Sequence, residues 1–107
     1  AIHILAADQA DIALHFARSG AAKFEVDDWW RARPEPPTIN GALARISCRV
    51  AHLYPGGDHT IIVGAIDALD TRNGAPLAFH ASRFGRFAAD KGSGQVDPWP
   101  DPSGVWM

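Results

Sequence analysis

Gly57-Asp58-His59 sets a carboxylate and an imidazole at a turn, directly ahead of the apolar run Ile61-Ile62-Val63. On the residues alone two readings stand. In the first, Gly56 and Gly57 supply positive φ, Asp58 bonds nearby amides and His59 is a half-exposed strand residue. In the second, the pleat turns His59 to the face of Ile61 and Val63, where an imidazole can donate a hydrogen bond to a planar ligand or pack on it. Lys23-Phe24 allows a similar pair of readings. A lysine following a helix complements the helix dipole, or it meets a phosphate with Phe24 as the packing anchor. Trp29-Trp30 covers core, or offers indoles to a flat ligand or a second subunit.

Other chemistries find no pattern. His3, His15, His52, His59 and His80 show no local ligand spacing with an acid, so no metal is expected. The serines lack a nucleophile-elbow context, and no Gly-rich phosphate loop of the Rossmann or P-loop kind occurs. Cys48 is the only cysteine, which rules out an internal disulfide and fits a reducing compartment.

The elements that must position these residues follow from periodicity. Ala1-Ile2-His3-Ile4-Leu5 reads as the end of a strand. Asp8 to Ser19 reads as a helix capped by Asp8, with Ile12, Ala13, Phe16 and Ala17 as its apolar stripe and Gly20 at its end. Pro34, Pro36 and Pro37 make the next stretch a long loop. From Gly41, Ala44, Ile46, Cys48 and Val50 alternate with Arg45, Ser47 and Arg49, as in a half-buried strand with the first set inward. Pro55-Gly56-Gly57 then turns the chain into a strand from His59 to Leu69. Arg72-Asn73-Gly74 turns it again into a third strand from Pro76 to His80, giving an antiparallel meander of three. Residues 88–107 read as an irregular Pro/Gly-rich tail whose Trp99 and Trp106 dock on this domain or on a second subunit. Three strands and one helix leave open edges, so something else must complete the sheet.

At 107 residues, 47% hydrophobic and 21% charged with a formal charge of −2, the chain is one small domain without the basic field that holds nucleic acid. No apolar run approaches the roughly 20 residues that a membrane-spanning helix needs, and the first residues lack the basic flank of a secretory leader. A cytoplasmic protein with neither nucleic-acid nor membrane partners is expected.

In order and separation, "ILAADQADIALHFA", "KF", "INGALARISCRV", "GGDHTIIVGAI" and "APLAFHASRFGRF" resemble the C-terminal two thirds of the flavin reductase-like domain. This is the FMN-binding split-barrel group that includes reductase components of two-component flavin monooxygenases. The resemblance covers about residues 2 to 87, so residues 1–87 are taken as that domain. It implies a mainly β fold with a short helix, part of an antiparallel split β-barrel whose first strands would precede Ala1.

The resemblance further implies an NAD(P)H-dependent flavin reductase that uses FMN or FAD with NADH or NADPH, works as a homodimer and supplies reduced flavin to an oxygenase partner. By position, Gly57, Asp58 and His59 take the nicotinamide nucleotide, with His59 positioning the nicotinamide rather than acting as acid or base. Ala7, Asp8 and Gln9 would lie at the flavin phosphate, and Lys23 and Phe24 near the flavin. His80, Arg83 and Phe84 would sit where the family often has Tyr-His and Arg-Tyr; Phe79 and Phe84 keep the aromatic platform without its hydroxyls. The contrasting reading is a split barrel that binds a flavin or tetrapyrrole and reduces nothing.

Overall fold

The computed structural model describes residues 1–20, 23–25, 27–31 and 36–90. The expected tail, with Trp99 and Trp106, lies outside the described residues beyond Asp90. The described chain is mainly β with one short helix. Strand β1 (Ile2–Ile4) is followed by helix α1 (Ala10–Ala17), a 3₁₀ turn (Asp27–Trp29), β2 (Trp30–Arg31), β3 (Thr38–Ile39), β4 (Ala44–Gly56), β5 (His59–Thr71), β6 (Leu77–His80) and β7 (Arg83–Arg86). All strand pairs are antiparallel, in three sheets: β1-β4-β5, β2-β3 and β6-β7.

The expected three-strand meander is therefore corrected. The third strand of the main sheet is β1, which pairs with the start of β4 through Ile2↔Ile46 and Ile4↔Ala44. β6 leaves that sheet and folds back on β7, while the chain just before it is tied to the β1 end by the Ala6↔Pro76 bridge and by Leu77 N–H on the Leu5 carbonyl at 2.9 Å. The Pro-rich stretch also holds more order than a loop, since β2 and β3 pair through Trp30↔Ile39 and Arg31↔Thr38.

Three local expectations shift as well. Helix α1 starts at Ala10 rather than Asp8 and ends at Ala17, with Gln9 at its N-cap position, not Asp8. The first hairpin turns one position later than Pro55-Gly56-Gly57, because Pro55 and Gly56 stay in the ladder opposite Thr60 and His59. Gly57 takes φ +69° there, a conformation that favours glycine at a two-residue turn. Along β4 it is Ser47 that is buried, while Val50 is exposed. The expected inward face does not persist because from Arg49 to Pro55 every residue of β4 is exposed, on both faces of the strand; the register shifts leave Asp67 of β5 and Ala51 of β4 without an opposite residue.

The buried apolar residues are few among the described residues: Ala6, Ile12 and Leu43. They cluster at one end, here called the base, where β1, α1 and the roots of β4 and β5 meet. Gln9 closes this base. It is buried, its Oε1 accepts the Ala6 N–H at 2.9 Å, and its Nε2 donates to the Asn40 carbonyl at 2.7 Å. Gly41 makes room for it: its φ is +78°, and a Cβ there would stand 3.1 Å from Gln9 Nε2.

Beyond the base, β4 and β5 run on as a two-stranded ribbon with Val50, Leu53, Ile62 and Ile66 all more than 60% exposed. The Cα radius of gyration is 16.5 Å, against about 13 Å for a compact chain of this length. Replacing Gln9 by alanine strips partners from the buried Ala6 N–H and from the Asn40 carbonyl. Gln9→Ala is expected to cost about 1–3 kcal/mol in urea unfolding; an unchanged midpoint would show that the amide does not hold the base together.

Candidate functional site

The residues singled out by sequence fall in four places rather than one. Ala7 and Asp8 lie at the base, in the loop between β1 and α1. The Ala7 N–H donates to the Ala75 carbonyl at 2.8 Å, and this tie brings the loop to the segment after β5. The result is a cleft of about 200 Å³ in which Ala7 and Asp8 face Arg72 and Arg86. Two arginines and one carboxylate give the cleft a net positive lining that suits an anion, with the Arg72 guanidinium also donating to the Gly41 carbonyl. Sequence reading missed both arginines as site residues. They stand more than sixty positions from Asp8, and only the fold brings them there. Gln9 does not join this cleft with its side chain, which is taken up by Ala6 and Asn40.

Lys23 and Phe24 lie beyond the other end of α1. The Lys23 ammonium donates to the carbonyls of Phe16 at 3.1 Å and His15 at 3.5 Å, so it completes the helix C-terminus as the simpler sequence reading described. His15 Nε2 in turn lies 2.8 Å from the Lys23 carbonyl and donates to it. Phe24 belongs to an aromatic cluster, edge-on to Phe16 at 5.6 Å and to Trp30 at 4.7 Å, while Trp29 meets His15 at 5.2 Å. The Trp30 indole N–H donates to the Phe24 carbonyl at 3.1 Å. Phe16, Phe24 and Trp30 line a second cavity of about 400 Å³ together with His3, Leu5 and Ile12. An aromatic-walled cavity of this size suits a flat apolar group.

His3 is the polar group in that wall. Its Nε2 accepts the Ile39 N–H at 3.1 Å, which fixes the neutral ring with its proton on Nδ1. Burial holds its pKa below the usual histidine value, and Arg45 adds repulsion against a second proton.

Asp58 and His59 occupy the ribbon tip. His59 Nδ1 stands 2.6 Å from Asp58 Oδ1. An ionised carboxylate only accepts, so the imidazole donates from Nδ1 and turns the lone pair of Nε2 outward. Both side chains are open to solvent, 81% for His59 and 91% for Asp58. His80, Arg83 and Phe84 lie on the β6-β7 hairpin. His80 pairs with Arg83 across its turn, and Phe84 meets Phe79 at 5.0 Å. Ala81 and Ser82 hold φ of +49° and +63°, the doubly left-handed turn that asparagine and glycine ordinarily occupy. The hairpin thus carries backbone strain between His80 and Arg83. Among the described residues, no group of three or more His, Cys, Asp or Glu could hold a metal, and no helix is long and apolar enough to cross a membrane.

Comparison with known proteins gives this arrangement a context. The model of the "Flavin reductase like domain" family matches residues 1–88. The chain is 46% identical over 88 residues to "FMN reductase (NADH) SmoA" of Agrobacterium fabrum, covering 82% of this chain and 50% of that protein. It is 40% identical over 86 residues to the reductase component of a 4-nitrophenol 4-monooxygenase/4-nitrocatechol 2-monooxygenase of Rhodococcus opacus, covering 80% and 46%. In three dimensions it matches the Streptomyces globisporus NADH:FAD oxidoreductase SgcE6, solved in complex with NAD and FAD fragments. The TM-score there is 0.74 at 36% identity, over 83% of this chain and 55% of that one. The chain spans about half the length of the curated relatives it matches.

The His3 geometry predicts how stability responds to acid. Because folding lowers its pKa, the unfolded chain takes up a proton before the folded one does. Stability is then flat above about pH 6.5 and falls as pH drops below that value toward the folded pKa. Urea midpoints between about pH 7.5 and 5, above most carboxylate titration, are expected to fall less steeply in His3→Gln than in the parent; parallel curves would contradict the assignment.

Proposed function

The chain belongs to the flavin reductase-like domain family, and from that premise we propose that the whole protein is an NAD(P)H-dependent flavin reductase. It transfers hydride to FMN or FAD and passes the reduced flavin to an oxygenase. NADH is the favoured donor, and both FMN and FAD are represented among the relatives named above. The oxygenase partner is proposed from the relative that is itself a monooxygenase's reductase component. A free Cys48 agrees with a reducing cytoplasm. The exposed apolar ribbon supports a homodimer, since apolar faces of that extent are ordinarily covered.

The observation that carries the reading is the Asp58–His59 pair. When bound, the flavin supplies a ring atom that accepts hydride from nicotinamide, and the protein's task is to orient two flat rings at contact. No strong base is required. Asp58 holds the His59 ring in one tautomer, and its outward Nε2 accepts a hydrogen bond from an amide N–H such as the nicotinamide carboxamide's. Arg72 and Arg86 hold the anionic end of the flavin beside Ala7 and Asp8. Phe24 belongs to the aromatic wall that suits a flat ring, while Lys23 acts by fixing the end of α1. His80, Arg83 and Phe84 form a second positioning hairpin for the nucleotides.

Anaerobic addition of NADH to the whole protein with FMN or FAD is expected to bleach the oxidised-flavin absorbance; a flavin that stays oxidised overturns the reading. His59→Ala is expected to raise the KM for NADH on the order of tenfold, as loss of one hydrogen bond to a polar group does, with flavin affinity unchanged. An unaltered KM would remove His59 from the site.

A further inference from the structure

Arginine gathers at a second place in the base, beside the cleft already described. A pocket of about 270 Å³ is walled by the β2-β3 pair and the roots of β4 and β5, with Arg31, Thr38, Asn40, Arg45, Asp70 and Arg72 in its lining. Three arginines and one aspartate leave that lining positive. Its volume exceeds the share of one water in the liquid, about 30 Å³, several times over. The strand register explains the gathering. Arg31 pairs with Thr38 across β2-β3, Arg45 pairs with Asp70 across β4-β5, and Arg72 follows β5 and donates to the Gly41 carbonyl.

Arg45 has a donor to spare. Its side chain is only 20% exposed. One terminal nitrogen donates to Asp70 Oδ2 at 3.4 Å and the other to the Ser47 hydroxyl at 3.1 Å. Its Nε–H is buried with no partner among the described residues. A buried donor left unpaired is costly, and more so on a charged group. Asp70 relieves little of the charge, since its side chain is 74% exposed and the contact is long. What the pocket lacks is an anion with several acceptor oxygens, and the guanidinium fork matches phosphate best.

Arg72 joins this pocket to the cleft of Asp8 and Arg86, because it stands in both walls. Two phosphates linked through one bridging oxygen need adjoining spaces, and an arginine common to both meets that need. FMN carries one phosphate and FAD two. We propose that the pocket takes the second phosphate of a flavin dinucleotide: with the first phosphate in the Asp8–Arg86 cleft, Arg31 and Arg45 bind the phosphate that FAD has and FMN lacks. The chain then prefers FAD. This rests on the reductase reading for the flavin in the cleft.

Equilibrium dialysis of the whole protein against FMN and FAD separately, without NADH, tests it. The parent is expected to bind FAD more tightly than FMN. Arg45→Gln is expected to weaken FAD binding about tenfold or more, as loss of a hydrogen bond to a charged group does, with FMN binding unchanged. Because Arg45 also holds Ser47 and Asp70, the exposed Arg31 supplies a second variant, Arg31→Gln, with the same expected selectivity. FAD affinity unchanged in both variants, or equal losses for the two flavins, overturns the inference and leaves the reductase reading to the NADH experiment. If the flavin of the parent stays oxidised with NADH while the FAD preference still falls in a variant, the reductase reading fails and the pocket's assignment holds. A parent that binds neither flavin overturns both.

Discussion

The side-chain amide of Gln9 is the point at which the base closes. One end satisfies the Ala6 N–H in the loop that leaves β1, and the other satisfies the Asn40 carbonyl, so one polar group ties that loop to the segment ahead of β4. Around it the Ala7–Ala75 and Leu77–Leu5 backbone bonds add the β6-β7 hairpin to the same node. With only Ala6, Ile12 and Leu43 as buried apolar residues among those described, apolar burial at this end is small. Hydrogen bonds in a dry setting then carry an unusual share of the geometry, because each would leave an unsatisfied group if broken. The cleft lined by Asp8, Arg72 and Arg86 depends on that node, since its walls come from the segments Gln9 and its neighbours hold together.

The ribbon obeys a different constraint. Its ladder is regular but for two register shifts, and its surface pairs Arg49–Asp67 at 3.0 Å and Arg45–Asp70 at 3.4 Å contribute little in solvent. Its apolar side chains are placed for burial they do not obtain within one chain. The same length that leaves them exposed carries Asp58 and His59 away from the base. On the proposed function, one geometric fact therefore accounts for both the open apolar surface and the separation of the site's two halves.

Much of the fold was legible in residue order. Alternation around Ala44–Val50 marked β4, Pro55-Gly56-Gly57 marked the hairpin although the turn itself falls at Gly57-Asp58, and the Ile12–Phe16 stripe marked α1. What was hidden depends on contacts distant in sequence. No local pattern reveals that β1 pairs with β4, that Ser47 rather than Val50 is buried, or that Arg72 and Arg86 come to Asp8. Gln9 and Lys23 show the limit for single residues. Both lie in segments assigned to the flavin, yet the Gln9 amide and the Lys23 ammonium are engaged by backbone groups of their own chain. Asp58 and His59 lie at the expected turn, but the sequence readings gave Asp58 to backbone amides, whereas its carboxylate takes the His59 imidazole and both side chains stand in solvent.

The central claim is that the base holds the anionic end of a flavin while the Asp58–His59 pair orients the nicotinamide. A crystal structure of the whole protein with oxidised flavin and a nicotinamide nucleotide bound tests it most directly. The account predicts the flavin phosphate against Arg72 and Arg86, with His59 within hydrogen-bond distance of the nicotinamide. A flavin bound away from that cleft, or a nicotinamide that His59 does not touch, would contradict it.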